Sequence, residues 1–207
     1  MSVGRATVYI VEDDPSFRKS MERLIQASGF KVVALEDADS FLKQRYIRRP
    51  GCLLLDVQLP GIDGLDLQQK LLEKGSRLPI IFMTGHGSIP MSVQAMKQGA
   101  VDFLPKPFEA RDLRSAIIKA LEGDIQERKK EIQENKIKSL VETLTPREKE
   151  VLRWIITGKL NKQIAFALGT TEKTIKVHRS RVMQKTKVSS VAELVRLAEK
   201  VNISPAA

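Results

Sequence analysis

The 207-residue chain predicts a doubly wound α/β domain, a charged helical linker and a small all-α domain built on a helix-turn-helix. Two observations predict this. Up to about Leu121, short apolar runs alternate with helix-like stretches; from Thr143 onward, helical segments follow one another in quick succession. Strand and helix patterns that alternate argue for βαβ units with right-handed crossovers, hence a parallel sheet covered on both faces.

The elements follow in order. Thr7-Val8-Tyr9-Ile10-Val11 leads into Glu12-Asp13-Asp14, and Pro15 opens a helix with Phe17, Met21, Leu24 and Ile25 on one face. Cys52-Leu53-Leu54-Leu55 leads into Asp56. The turn Pro60-Gly61-Ile62-Asp63-Gly64 then precedes a helix carrying Leu65, Leu67, Leu71 and Leu72. Ile80-Ile81-Phe82-Met83 leads into Thr84, and Met91, Ala95 and Met96 mark a third helix. Asp102-Phe103-Leu104 leads into Pro105-Lys106-Pro107, and Leu113, Ile117, Ile118 and Leu121 mark a fourth. Apolar runs bounded by turn residues read as strands buried on both faces.

Between Gly123 and Glu142 the composition turns highly charged. Ile118, Leu121, Ile125 and Ile132 are spaced so that the last helix runs on as a solvated spacer. Arg128 and Asn135 stand where a coiled-coil seam needs apolar residues. Thr145-Pro146-Arg147-Glu148 is a helix start, with a Thr cap, Pro at the first helical position and Glu three residues after the cap. Helices are expected from Pro146 to Thr157, Lys162 to Leu168, Glu172 to Lys185 and Val191 to Lys200. The short break at Gly169-Thr170 suggests a helix-turn-helix. The expected domains are 1–122, a linker 123–142, and 143–207.

Composition narrows the function classes. A hydrophobic fraction of 42% suits globular cores. No stretch resembles a signal peptide, and no run approaches the roughly 20 apolar residues that span a bilayer. The lone Cys52 lies in an expected strand and reads as a buried, reduced thiol, which points to the cytoplasm. Cys/His spacing for zinc is absent. The net charge of +10 is uneven: residues 143–200 carry 13 Lys+Arg and 5 Asp+Glu, a net of +8, and the rest carry 22 and 20, a net of +2. A basic second part behind a nearly neutral first part suggests an anionic partner for the second part only.

In an open parallel sheet, ligands and chemistry collect at the carboxyl ends of the strands. Glu12, Asp13, Asp56, Thr84 and Lys106 would meet there. Carboxylates brought together repel one another, so the site calls for a cation or strongly raised pKa values. Hard oxygen ligands suit Mg²⁺, and a carboxylate beside Mg²⁺ can attack a phosphoryl group. Lys106 would then offset charge on the phosphoryl oxygens and the Thr84 hydroxyl could donate to them.

These residues resemble the receiver domain of two-component response regulators across roughly residues 5 to 122. The pattern runs through Val11-Glu12-Asp13-Asp14, Leu55-Asp56-Val57-Gln58-Leu59-Pro60-Gly61, Met83-Thr84-Gly85 and Phe103-Leu104-Pro105-Lys106-Pro107-Phe108. The resemblance implies a flavodoxin-like sheet of five parallel strands. It implies that Asp56 accepts phosphate from a sensor histidine kinase. Asp13, Asp56 and the Gln58 backbone carbonyl would bind Mg²⁺, with Glu12 contributing through water. Thr84 and Lys106 would contact the phosphoryl group, Thr84 and Phe103 would act as the switch, and Lys106-Pro107 would be cis. Glu12 departs from the family, where Asp is common. His86 is a candidate modulator of dephosphorylation.

The segments Leu144 to Leu152, Asn161-Lys162-Gln163-Ile164-Ala165 and Thr174-Ile175-Lys176-Val177-His178 look like the LuxR-type helix-turn-helix. Together the two domains resemble the NarL/FixJ family, and Thr84-Gly85-His86-Gly87 with Ile89-Pro90-Met91 leans towards the FixJ branch. On the third helix Ile175, His178, Val182 and Thr186 share one face, expected to pack inward. Lys173, Lys176, Val177, Ser180 and Arg181 lie on the other, with charge and short side chains suited to a major groove. The resemblance places Lys176, Val177 and Ser180 at base edges. Lys162, Lys173, Thr174, Arg179 and Arg181 are assigned to phosphates, which position the helix without reading sequence. Thr170 and Thr186 stand where relatives carry apolar residues, which predicts a less stable domain.

The expected function is that of a transcription regulator and not an enzyme: phosphorylated on Asp56, dimerising, binding promoter DNA and meeting RNA polymerase. The alternative is an unphosphorylated receiver serving as an interaction module, with constitutive DNA binding. An Mg²⁺-dependent phosphatase would need a second acid two residues after its nucleophile, where Gln58 stands.

Overall fold

The structure is a computed structural model and describes residues 6–85 and 89–206. The chain divides into two compact units, Met1–Arg128 and Lys129–Ala207. His86, the candidate modulator of dephosphorylation, lies outside the described residues.

The first unit is a five-stranded parallel sheet in the order β2-β1-β3-β4-β5. The strands are β1 (Thr7–Val11), β2 (Lys31–Leu35), β3 (Gly51–Asp56), β4 (Ile80–Thr84) and β5 (Asp102–Pro105). Between them run α1 (Pro15–Ala27), α2 (Ala38–Leu42), α3 (Gly64–Glu73) and α4 (Ile89–Lys97), and α5 (Ala110–Glu142) follows. Alternate residues of each strand enter opposite cores, as a period of two requires. Val8, Ile10, Cys52, Leu54, Ile81 and Met83 meet Met21 and Ile25 of α1 and Leu113, Ile117 and Leu121 of α5. Tyr9, Val11, Leu53, Leu55, Ile80 and Phe82 meet Phe41 of α2, Leu67 and Leu71 of α3, and Ala95 of α4. Burial pushes the Cys52 thiol strongly towards its neutral form, in keeping with an inert core residue.

Three helix positions assigned to the buried faces are exposed: Leu24, Leu72 and Met96. Each directly precedes or follows a residue of the stripe, about 100° around the helix, and falls on its margin. β2 and α2 received no assignment from the sequence. β2 is an edge strand, open or half-buried along its length, although Val32-Val33-Ala34-Leu35 before Glu36-Asp37 carries the same signal as its neighbours.

The expected helical spacer is part of one helix, α5. Its Asp124 is buried and binds the first unit: its carboxylate accepts from the Arg49 side chain at 2.7 Å and from the Gly51 N–H at 3.0 Å. The Arg128 guanidinium donates to the Arg49 carbonyl. These ties explain why the first unit extends to Arg128.

In the second unit, α6 (Pro146–Ile155), α7 (Asn161–Ala167), α8 (Glu172–Thr186) and α9 (Val191–Lys200) enclose a core of Val151, Leu152, Ile155, Ile164, Ile175, Val182 and Leu194. The capping box of α6 is present: the Glu148 N–H donates to the Thr145 hydroxyl and the Thr145 N–H to the Glu148 carboxylate. Thr186 is buried, but its hydroxyl donates to the Val182 carbonyl at 2.7 Å. That bond offsets the penalty for burying a polar group. No described helix is long and apolar enough to cross a membrane.

Candidate functional site

The register of the parallel strands brings their carboxyl ends level, with Val11 beside Leu55, Asp56 beside Met83 and Thr84 beside Pro105. Glu12 and Asp13 follow β1, Asp56 ends β3, Thr84 ends β4 and Lys106 follows β5. β1 and β3 flank the point where the strand order reverses, the crevice where open α/β sheets bind ligands.

Carboxylate oxygens of Glu12, Asp13 and Asp56 lie within 4.8 Å of one another. Glu12, Asp56 and Thr84 are buried, while Asp13 faces solvent. The Lys106 ammonium donates to Glu12 Oε2 and to Asp56 Oδ2, both at 2.7 Å. Asp56 Oδ1 accepts from the Gln58 N–H at 3.1 Å. Burial raises the Glu12 pKa, Asp56's charge adds to it, and Lys106 only partly opposes them. Burial works against the Lys106 ammonium, but its bonds to Asp56 and Glu12 outweigh that and leave its pKa raised. Three carboxylates with one ammonium between two of them form a hard-oxygen set that a divalent cation fits. The Lys106–Pro107 peptide is cis, and so is Arg49–Pro50.

Several further groups surround this site. Arg18 Nη1 donates to the Glu12 carbonyl at 2.5 Å and to the Asp13 carbonyl at 3.0 Å, holding the acidic turn. Asp14 caps α1 by accepting from the Ser16 and Phe17 N–H groups. Phe17 lies under Lys106, with Nζ 4.3 Å from the ring centroid, and packs edge-on against Phe108 at 6.1 Å. Gly64 is buried against the end of β3, where a Cβ would stand 2.3 Å from the Asp56 carbonyl oxygen. Arg18 and Phe17 both follow the acidic run at helical spacing, a signal that could have found them. The Gly64 approach is tertiary and leaves none. Phe103 is half-buried, its ring 6.2 Å from that of Phe82.

In the second unit α7 and α8 form the expected helix-turn-helix, with the α8 N-terminus capped by Thr171. Lys162, Lys173, Lys176, Val177, Ser180 and Arg181 are exposed, while Ile175, Val182 and Thr186 point inward. His178 is half-buried, and its Nδ1 has no hydrogen-bond partner among the described residues. Two of the assigned phosphate contacts also have intramolecular partners. Thr174 shares a hydroxyl bond with Thr171 at 2.9 Å, and Arg179 donates to Asn161 Oδ1 at 3.2 Å. Glu148 is buried beneath α8, and the Lys185 ammonium donates to its Oε2 at 2.6 Å.

Comparison with known proteins joins the two halves. The response regulator receiver domain matches residues 8–118, and the luxR family of bacterial regulatory proteins matches residues 142–198. Nodulation protein W of Bradyrhizobium diazoefficiens is 46% identical over 200 residues, covering 97% of this chain and 88% of its own length. The transcriptional regulatory protein FixJ of the same organism is 40% identical over 191 residues, covering 92% and 93%. The structure of the response regulator StyR superimposes with a TM-score of 0.83 at 44% identity, covering 95% of this chain and 99% of that one.

The chain belongs to the NarL/FixJ family of response regulators. Its acidic crevice is therefore the site of a receiver domain, a fold that binds Mg²⁺ through acidic residues, and its basic unit is a LuxR-type DNA-binding domain. A receiver and a DNA-binding domain in one chain imply a histidine kinase and DNA as partners.

Proposed function

We propose that this response regulator accepts a phosphoryl group on Asp56 from a sensor histidine kinase, dimerises and then binds promoter DNA. The observation that carries the reading is the Asp56 carboxylate at the end of β3, held by Lys106 and within 4.8 Å of Glu12 and Asp13 oxygens. An Asp56 oxygen forms the bond to phosphorus as the bond from phosphorus to the kinase imidazole breaks, and the imidazole leaves with the electron pair. Gln58 N–H and Lys106 each bind one Asp56 oxygen and so fix the orientation of the carboxylate for attack. Lys106 then meets the charge on the transferred oxygens, and the Thr84 hydroxyl donates to them. Asp13, Asp56 and the Gln58 carbonyl would hold Mg²⁺, with Glu12 acting through water; when bound, the ion supplies the positive charge that lets phosphate approach three carboxylates.

Phosphorylation is read out through Thr84 and the half-buried Phe103, which biases the receiver towards dimerisation. Two LuxR-type domains then engage two half-sites, gaining from effective concentration, and present the complex to RNA polymerase. The exposed face of α8 carries the base-reading residues Lys176, Val177 and Ser180. Lys162, Lys173, Thr174, Arg179 and Arg181 position it on phosphates. Affinity for a native promoter fragment, measured before and after phosphorylation, tests the coupling; equal affinities contradict it. Lys176→Ala is expected to weaken specific binding by about 1–3 kcal/mol and to relax sequence preference. Equal loss on all sequences reassigns Lys176 to a phosphate.

A further inference from the structure

At the opposite end of the sheet from Asp56, where the strands begin, residues 43–50 join α2 to β3 and read Lys-Gln-Arg-Tyr-Ile-Arg-Arg-Pro. This segment helps to line a cleft of about 680 Å³, together with Lys31 at the start of β2 and Gln26 of α1. The segment is anchored. The Arg48 N–H donates to the hydroxyl of buried Tyr9 at 2.6 Å, Tyr9 packs edge-on against Phe41, and the neighbouring Arg49 is held by buried Asp124.

Three features of the cleft point to a ligand. No carboxylate lines it, and among the described residues Lys31, Arg45 and Arg48 form no ion pair. A cleft lined by charge of one sign concentrates anions. Tyr46 sits between Arg45 and Arg48 in sequence with 81% of its surface exposed, a flat ring that nothing in the fold covers. Gln44 adds an amide donor and acceptor, while the Gln26 amide already donates to Glu22 Oε1 at 3.2 Å, and the volume lies within the roughly 300–1,000 Å³ of small-molecule sites.

We propose that this cleft binds a nucleotide. The Arg45 and Arg48 guanidinium forks and the Lys31 ammonium take the phosphates, since a planar fork matches phosphate oxygens in pairs. The Tyr46 ring stacks on the base, and the Gln44 amide meets its polar edge. The site uses the amino ends of the strands and none of the residues of the acidic crevice, so it does not depend on the phosphorylation reading.

Calorimetric titration of the full chain tests it, with ADP, adenosine and inorganic phosphate as separate probes and EDTA present to keep metal–nucleotide complexes out of the crevice. One equivalent of ADP is expected to bind, about tenfold or more tighter than either fragment. Tyr46→Ala is expected to weaken ADP about tenfold, the scale of a lost stacking contact. The Arg45→Glu/Arg48→Glu pair should abolish binding while its circular dichroism and affinity for promoter DNA stay unchanged. ADP binding no tighter than phosphate overturns the proposal, as does undiminished affinity in Tyr46→Ala, which decides alone should the double variant unfold.

Discussion

Glu148→Ala is expected to destabilise the unit Lys129–Ala207 by about 2 kcal/mol. Loss of a capping interaction costs about 1 kcal/mol, and a further share comes from the lost Lys185 partner; the partly exposed ammonium keeps its bond to the Thr143 carbonyl and recovers some water. The hydrogen bond from Lys185 is the main reason that the Glu148 pKa lies below its ordinary value, assisted by the Thr145 N–H. A carboxylate depressed in the folded state stabilises it fully above the unfolded value of 4.5, and this contribution is lost as pH falls through the folded value. The wild-type and Glu148→Ala unfolding curves should therefore separate at neutral pH and converge in acid. Trp154, the single tryptophan, packs against the core of this unit and reports its unfolding by fluorescence in urea. Curves that superimpose at pH 7 contradict the role given to Glu148. Lys185 lies in the last turn of α8, and its bond to Glu148 helps to fix α8 on α6, so the proposed DNA contacts of α8 should weaken as well.

Gly64→Ala should injure the receiver domain although it adds one methyl group. The new Cβ would stand 2.3 Å from the Asp56 carbonyl oxygen and 3.0 Å from Val57 Cα, both backbone atoms that cannot rotate aside. Either α3 lifts from the sheet or the end of β3 moves; overpacking of this kind costs about 1–3 kcal/mol. Because Asp56 is the residue displaced, its phosphorylation should also slow. Gly123→Ala is the control. A Cβ there meets nothing within 4 Å, so removing a helical glycine should stabilise by about 0.5–1 kcal/mol. Equal stability and labelling rate for Gly64→Ala and wild type would show that the close approach does not constrain Asp56.

Most of the receiver site was legible because its residues are fixed by where strands stop. Four apolar runs ending on Glu12-Asp13, Asp56, Thr84 and Pro105-Lys106 are a linear signal, and the parallel register converts it into one crevice. β2 lacked a reading because it delivers none of those groups, although Val32 to Leu35 is apolar enough to have suggested it. Asp124 stands in a stretch whose composition predicts a solvated spacer. Its burial depends on Arg49 and Gly51, far away in sequence, and no local pattern encodes that. The close approach of Gly64 to the end of β3 is likewise a product of packing between elements. In the DNA-binding domain, helical periodicity separated the exposed Lys173, Lys176, Ser180 and Arg181 from the buried Ile175 and Val182. It could not show that Arg179 reaches Asn161, because that contact joins two helices.

Phosphoryl transfer to Asp56 is tested most directly by intact mass after incubation with acetyl phosphate and Mg²⁺, beside an Asp56→Asn variant and a chelated sample. One added phosphoryl group in the wild type, absent from both controls, is the expected result. No adduct under conditions that label a known receiver, or an adduct that persists in Asp56→Asn, contradicts it and makes constitutive DNA binding the leading account.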